Sequence, residues 1–257
     1  MAFSNYHTHS TFCDGKDTPE ETVLEAIRLG CPELGFSGHS YTSFDDCCMS
    51  PEGTERYRAE IRRLREKYRE SIKIYLGIEQ DFYGDLPPEG YDFVIGSVHY
   101  LPHGDQWPSV DHTPAHFDRM VQDFYGGDVY ALCEDFFATV ALVYEKTHCD
   151  IVGHFDLVTK FNEGNCRFDT AHPRYRKAAL AALDALEKAP VLFEVNTGAI
   201  ARGYRTQAYP ENWLLEEMVR RHLPLLLSSD CHDRRYLLCG FENYAGLPGV
   251  KKTLFDG

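Results

Sequence analysis

Ile72-Lys73-Ile74-Tyr75-Leu76-Gly77-Ile78-Glu79 and Tyr91-Asp92-Phe93-Val94-Ile95-Gly96-Ser97-Val98-His99 are two short apolar runs rich in β-branched residues. Residues 72–78 and 91–98 have the length and composition of buried strands. Each run stops at a side chain able to bind a metal, Glu79 in one case and His99 in the other. The same reading extends in both directions. Further strands are predicted at residues 3–7, 33–38, 149–153, 191–195 and 223–229, which makes seven.

Between the strands lie segments of helical period. Thr18-Pro19-Glu20-Glu21 opens one as a capping box with proline at the first helical position, and Gly30 ends it. Residues 54–70 form a charged helix with Tyr57, Ile61, Leu64 and Tyr68 on one face. Helices are also expected at 129–148, 173–189 and 211–222. Residues 100–128, rich in His, Pro and Gly, show no clear period and read as one long functional loop. Strands alternating with helices indicate parallel βα units in an α/β barrel, with residues 1–257 as one domain.

In such barrels the chemistry sits at the C-terminal ends of the strands, contributed by several of them. Here His7 and His9 end the first predicted strand and His39 follows the second. Glu79, His99 and His154 end the next three, and Asp230 with His232 follows the last. Asp14 stands beside Gly15 just after His9. A lone strand-end histidine is usually structural, but ligands at nearly every strand end form a joint pattern that chance does not supply. His103, His112, His116, His148, His172 and His222 fall in loops or on helices, and most of them read as surface residues. Imidazole with carboxylate suits zinc, iron or manganese. Paired ions can share a hydroxide and stabilise both attacking and leaving oxygens, which is the chemistry of phosphate-ester and amide hydrolysis.

Composition narrows the choices. The formal charge is −14, from 26 basic and 40 acidic residues, which argues against nucleic acid as partner. An anionic substrate would need bound cations to reverse the local field. No apolar run approaches a membrane span and no secretory leader precedes residue 10, so a cytoplasmic location is expected. Nine cysteines without regular spacing read as reduced thiols. Oligomeric state is not written in the sequence.

The order of these motifs resembles one family. His7-Thr8-His9-Ser10 with Cys13-Asp14-Gly15, Phe36-Ser37-Gly38-His39, Gly77-Ile78-Glu79, Ile95-Gly96-Ser97-Val98-His99-Tyr100, Val152-Gly153-His154-Phe155-Asp156-Leu157, Glu194-Val195-Asn196-Thr197-Gly198 and Ser229-Asp230-Cys231-His232 resemble the motif series of the polymerase-and-histidinol-phosphatase (PHP) family. The branch most similar is that of the stand-alone histidinol-phosphate phosphatases. The resemblance implies a distorted seven-stranded (β/α)7 TIM-like barrel and two to three divalent ions. It would put His7, His9, Glu79 and Asp230 on one ion, Glu79, His99 and His154 on a second, and Asp14, His39 and His232 on a third.

The activity implied is hydrolysis of L-histidinol phosphate, a step of histidine biosynthesis, by a metal-bridging hydroxide in line with the ester oxygen. Asp230, His232 and Glu79 are the catalytic candidates, with Asp230 shuttling the proton. Lys160, Arg202 and Arg205 are the candidates for binding phosphate. Asp105, Asp111 or Asp118 could receive the ammonium and imidazole of the substrate. Competing readings are a phosphomonoesterase for nucleotides, sugar phosphates or phosphotyrosine, a non-catalytic metal-stabilised module, and an amidohydrolase. The last would carry a lysine between its metals, where this chain has Glu79.

Overall fold

The computed structural model describes residues 2–255. Its elements run α1 Pro19–Leu29, β1 Glu33–Phe36, α2 Pro51–Lys67, β2 Lys73–Asp81, β3 Phe93–Ser97, α3 Pro114–Tyr125, α4 Val129–Val140, α5 Val143–Thr147, β4 Ile151–Val152, α6 Pro173–Leu186, β5 Leu192–Asn196, α7 Gly198–Ala201, α8 Asn212–Arg220, β6 Leu225–Ser228, α9 Phe241–Tyr244 and β7 Val250–Lys251. The strands form one parallel sheet in chain order, β1 to β7, with helices packed outside. Among the described residues no helix is long and apolar enough to cross a membrane.

The fold class matches the sequence reading, but the seven strands are not the expected seven. Residues 3–7 form no ladder strand. The segment instead makes single parallel bridges on either side, Asn5 to Leu34 and Thr8 to Cys231. Gly35 and Ser37 donate to the carbonyls of Asn5 and Thr8 at 2.8 and 2.9 Å, and His9 and Cys231 bond on the other flank. This segment thus links β1 to the chain just past β6, completing the curl of the sheet. The seventh strand, β7, is a two-residue pairing onto β6 that carries no periodic signal.

Two other expectations are corrected. Residues 100–128 are not one loop, because α3 occupies its second half. Thr113 caps it, Pro114 stands at its first position and Gly126 ends it at φ 59°. The buried stripe Phe117, Met120 and Val121 was the legible signal. The helix expected at 129–148 breaks after Val140, where Leu142 donates to Thr139 in a tighter turn before α5.

Core packing explains the shape at the closed end of the sheet. Tyr6, Phe93, Ile95, Ile151 and Leu226 form their own buried cluster there. Gly77 and Gly35 make room for the Phe93 ring, since a Cβ on Gly77 would meet its Cζ at 2.2 Å. The larger cluster lies between sheet and helices, as expected for a sheet buried on both faces.

Candidate metal centre

The opposite end of the sheet gathers the polar side chains. Glu79 projects from β2, His99 and His154 stand two residues past β3 and β4, and Asp230 two past β6. His39 follows β1 and bridges backbone to Glu79. Glu79 is almost fully buried and occupies the centre. Its Oε2 lies 3.3 Å from His7 Nε2, 3.5 Å from His9 Nε2 and 3.0 Å from His39 Nδ1. Its Oε1 lies 2.9 Å from His154 Nε2 and 3.5 Å from His99 Nε2. One carboxylate therefore faces two histidine sets, one with each oxygen.

Asp230 and Asp14 complete the group. Asp230 Oδ1 is 3.2 Å from His9 Nε2, 3.4 Å from His232 Nδ1 and 3.6 Å from His7 Nε2. Asp14 sits 3.5 Å from His39 Nε2 and 3.2 Å from His232 Nε2. All nine residues singled out as ligands converge. Three subsets place their donor atoms within 4.8 Å of one another: His9, Asp14, His39 and His232; His7, His9 and Asp230; His39, Glu79 and His99. The third grouping differs from the partition implied by family resemblance, because His39 reaches Glu79 as well as Asp14.

The decisive feature is what these atoms lack. His7 Nε2, His9 Nε2 and Glu79 Oε2 are buried and make no aligned hydrogen bond. Buried polar atoms are nearly always satisfied, since leaving one bare costs about 1–3 kcal/mol. Three such atoms aimed at one point, all N or O lone-pair donors, fit a divalent cation of the zinc, iron or manganese kind. The ionisation pattern agrees. Burial opposes charge on His7 and His39, yet the carboxylates around them, Glu194 and Glu79 foremost, hold both protonated well above the ordinary histidine range. His99 is raised to about 9 against its burial, chiefly by Glu79. His9 is lowered to about 3, first by burial and then by the neighbouring imidazole rings packed against it. Burial raises Glu79 and Asp230, but neighbouring cations outweigh it and keep both ionised. Negative charge is thus in excess, balanced here by protons that a metal would replace.

The mouth of the cluster is a cavity of ≈ 390 Å³ lined in part by Asp14, Glu79, Asp111, Lys160, Arg202 and His232. Of the phosphate candidates, Lys160 and Arg202 reach it. Lys160 Nζ donates to Asp111 at 3.0 Å, and Arg202 Nη2 to Asp230 Oδ2 at 2.7 Å. Arg205 does not. It is buried and absent from the cavity lining, donates to Thr159 and pairs with Glu211 at 2.6 Å. Among the acidic loop candidates only Asp111 lines the cavity; Asp118 pairs with Arg167 on the surface. His112 is exposed, as read from the sequence, and also lines the cavity.

Sequence reasoning assigned no role to two acids behind the ligands. Glu194, in the middle of β5, accepts from His7 Nδ1 at 2.5 Å, from the His154 backbone at 2.7 Å and from Asn196 at 2.9 Å, besides Ser228. Asp81 accepts from His99 Nδ1 at 3.0 Å. Such carboxylates fix the tautomer and aim the other ring nitrogen inward. Position held the clue for Glu194, whose strand was the one without an assigned ligand.

The PHP domain family model matches residues 5–198. The chain belongs to the PHP domain family. A histidinol-phosphatase of Bacillus subtilis is 26% identical over 253 residues, covering 88% of this PHP chain and 92% of that protein. A crystal structure from Listeria monocytogenes superposes with a TM-score of 0.82 at 21% identity, covering 94% of this chain and 99% of that one. Histidinol phosphate phosphatase from Lactococcus lactis, in complex with zinc, L-histidinol and phosphate, gives a TM-score of 0.65 at 23% identity, covering 90% and 87%. At these identities the two structures show that the PHP barrel is shared.

Proposed function

We propose that this PHP chain, as a single domain acting in the cytoplasm, is a metal-dependent histidinol-phosphate phosphatase that hydrolyses L-histidinol phosphate to L-histidinol and phosphate. The observation that carries the reading is the convergence of buried, unsatisfied His7 Nε2, His9 Nε2 and Glu79 Oε2 beside a cavity holding two cationic side chains. The substrate assignment is supported by the curated Bacillus relative, which bears the name histidinol-phosphatase. Two to three ions are proposed. His7, His9, Glu79 and Asp230 would hold one, Glu79, His99 and His154 another, and Asp14, His39 and His232 a third. Ions so held supply Lewis acidity and a nucleophile from water at neutral pH.

The chain's own groups do the rest. Lys160 and Arg202 face the cavity and would neutralise charge gathering on the phosphoryl oxygens. Arg202 also restrains Asp230 through Oδ2, leaving Oδ1 toward His7, His9 and His232. Asp230 is the proposed proton acceptor from the attacking water, with His232 and Glu79 framing the same point. Asp111 supplies a carboxylate at the cavity wall beside Lys160, suited to the ammonium or imidazole of the substrate.

The test is phosphate release by metal-loaded protein from L-histidinol phosphate and from nucleotide, sugar and tyrosyl phosphates. The expected kcat/KM for histidinol phosphate stands about 10²-fold or more above the panel, as a pocket with charged partners for the leaving group would give. Preference for another ester discards the substrate and keeps the chemistry. Asp230→Asn should fold and retain part of its metal while losing most turnover; near-normal turnover would refute its role.

A further inference from the structure

Cys47 and Cys48 lie on the wall of the same cavity, and the phosphatase reading uses neither. Their sulfurs are 3.7 Å apart. Two sulfurs on one pyramidal trivalent centre at about 2.3 Å per bond and about 100° sit roughly 3.5 Å apart, so the pair is already close to the spacing of a chelate. The loop holding them is fixed on both sides. Phe44 stacks on Trp107 with centroids 4.1 Å apart and planes at 5°, and Tyr100 donates to Asp45 at 2.6 Å. Asp45 in turn accepts from the Cys47 backbone at 2.8 Å. Thr42 Oγ1 donates to Cys48 Sγ at 3.3 Å, which favours the thiolate. Cys48 ionises first, brought down to about 7 mainly by its hydrogen bond with Cys47, while that bond and burial push Cys47 up. Both thiols remain partly open to the cavity rather than sealed in the core.

We propose that Cys47 and Cys48 form a two-thiolate capture site for thiophilic metalloids of the trivalent-arsenic class, and that a captured group obstructs the cavity. Soft thiolates select such elements, whereas the imidazole and carboxylate cluster beside them suits harder ions. The step is condensation without redox change. Each thiol gives its proton to an oxygen on arsenic, two S–As bonds replace two As–O bonds, and with phenylarsine oxide one water leaves. The chelate is what makes capture tight, since the second thiol binds intramolecularly.

The probe is phenylarsine oxide, with intact-mass spectrometry on the metal-loaded chain as a readout that needs no turnover. One arsenical per chain is expected, removed by 2,3-dimercaptopropanol. Cys47→Ser and Cys48→Ser should each weaken capture on the order of 10²-fold, because a single thiol loses the chelate advantage. Cys166→Ser, at an exposed thiol away from the cavity, should change nothing. The serine variants are near-isosteric, and unchanged melting would certify their fold. No uptake by the wild-type chain, or equal uptake by the Cys47 and Cys48 variants, would overturn the site. If the unmodified chain turns over a phosphate ester, the adduct should abolish that turnover and dithiol should restore it; an adduct with full turnover would overturn the obstruction. Absence of turnover in the unmodified chain would count against the phosphatase reading alone, leaving the mass result to decide the thiol site.

Discussion

At the scale of single residues, the centre is organised by Glu79 in front and Glu194 behind. Glu194 holds His7 through Nδ1 and the His154 backbone through its other oxygen and does not line the cavity, so its effect on metal is through placing those two residues. Glu194→Gln is expected to weaken metal binding by roughly 10–100-fold while the fold persists, as read by metal titration and circular dichroism. Unaltered affinity would show that His7 is aimed by packing alone. Protonation gives a second handle. His99 is raised to about 9 in the metal-free chain, and His7 and His39 are raised too. A raised folded-state value stabilises fully below the unfolded value of about 6.5 and is lost as pH climbs through the folded value. The metal-free protein should therefore lose stability between about pH 6.5 and 9. Metal binding displaces those same protons, so affinity should rise across that window. Calorimetry in buffers of different ionisation heat would detect the released protons, and a proton-neutral binding event would contradict the assignment.

At the scale of elements, two loops after β4 and β5 divide the labour between their basic residues. Lys160 follows β4, and Arg202 and Arg205 follow β5 with α7 between. Arg205 ties the two loops from below, bonding Thr159 and Glu211, while the Glu211 backbone donates to buried Asp156 at 2.8 Å. Arg202 reaches forward into the cavity. The two arginines should therefore fail differently. Arg205→Met leaves Glu211 buried without its cation and is expected to cost on the order of 3 kcal/mol in urea unfolding. Arg202→Ala should cut kcat/KM for a phosphate ester by about 10²-fold. A stable Arg205→Met, or an Arg202→Ala of unchanged turnover, would reverse this division. Reading both arginines from sequence as equals was unavoidable. They stand three residues apart on a short irregular stretch, and no period there tells inward from downward.

At the scale of the whole molecule, a shell of protons and excess carboxylate charge at the barrel mouth makes metal a folding ligand as well as a cofactor. A ligand held at about 1,000 times its dissociation constant adds about 4 kcal/mol. For a chain of 257 residues, chelation by EDTA is then expected to lower the melting temperature by roughly 10 °C. Differential scanning calorimetry before and after chelation measures it, and identical melting curves would argue that no ion is resident. The α/β class, the parallel order and the nine candidate residues that converge were legible in the chain alone. Apolar runs of strand length ending in His, Asp or Glu fix which end of the sheet is polar, and that alternation is local. Tertiary structure decided what locality cannot express. It closed the sheet through two single bridges at Asn5 and Thr8, supplied a seventh strand at Val250–Lys251, hid Arg205, and brought Glu194 behind His7 and Cys47-Cys48 onto the cavity wall. Each of these depends on contacts between residues far apart in the chain, whose partners no window of sequence contains.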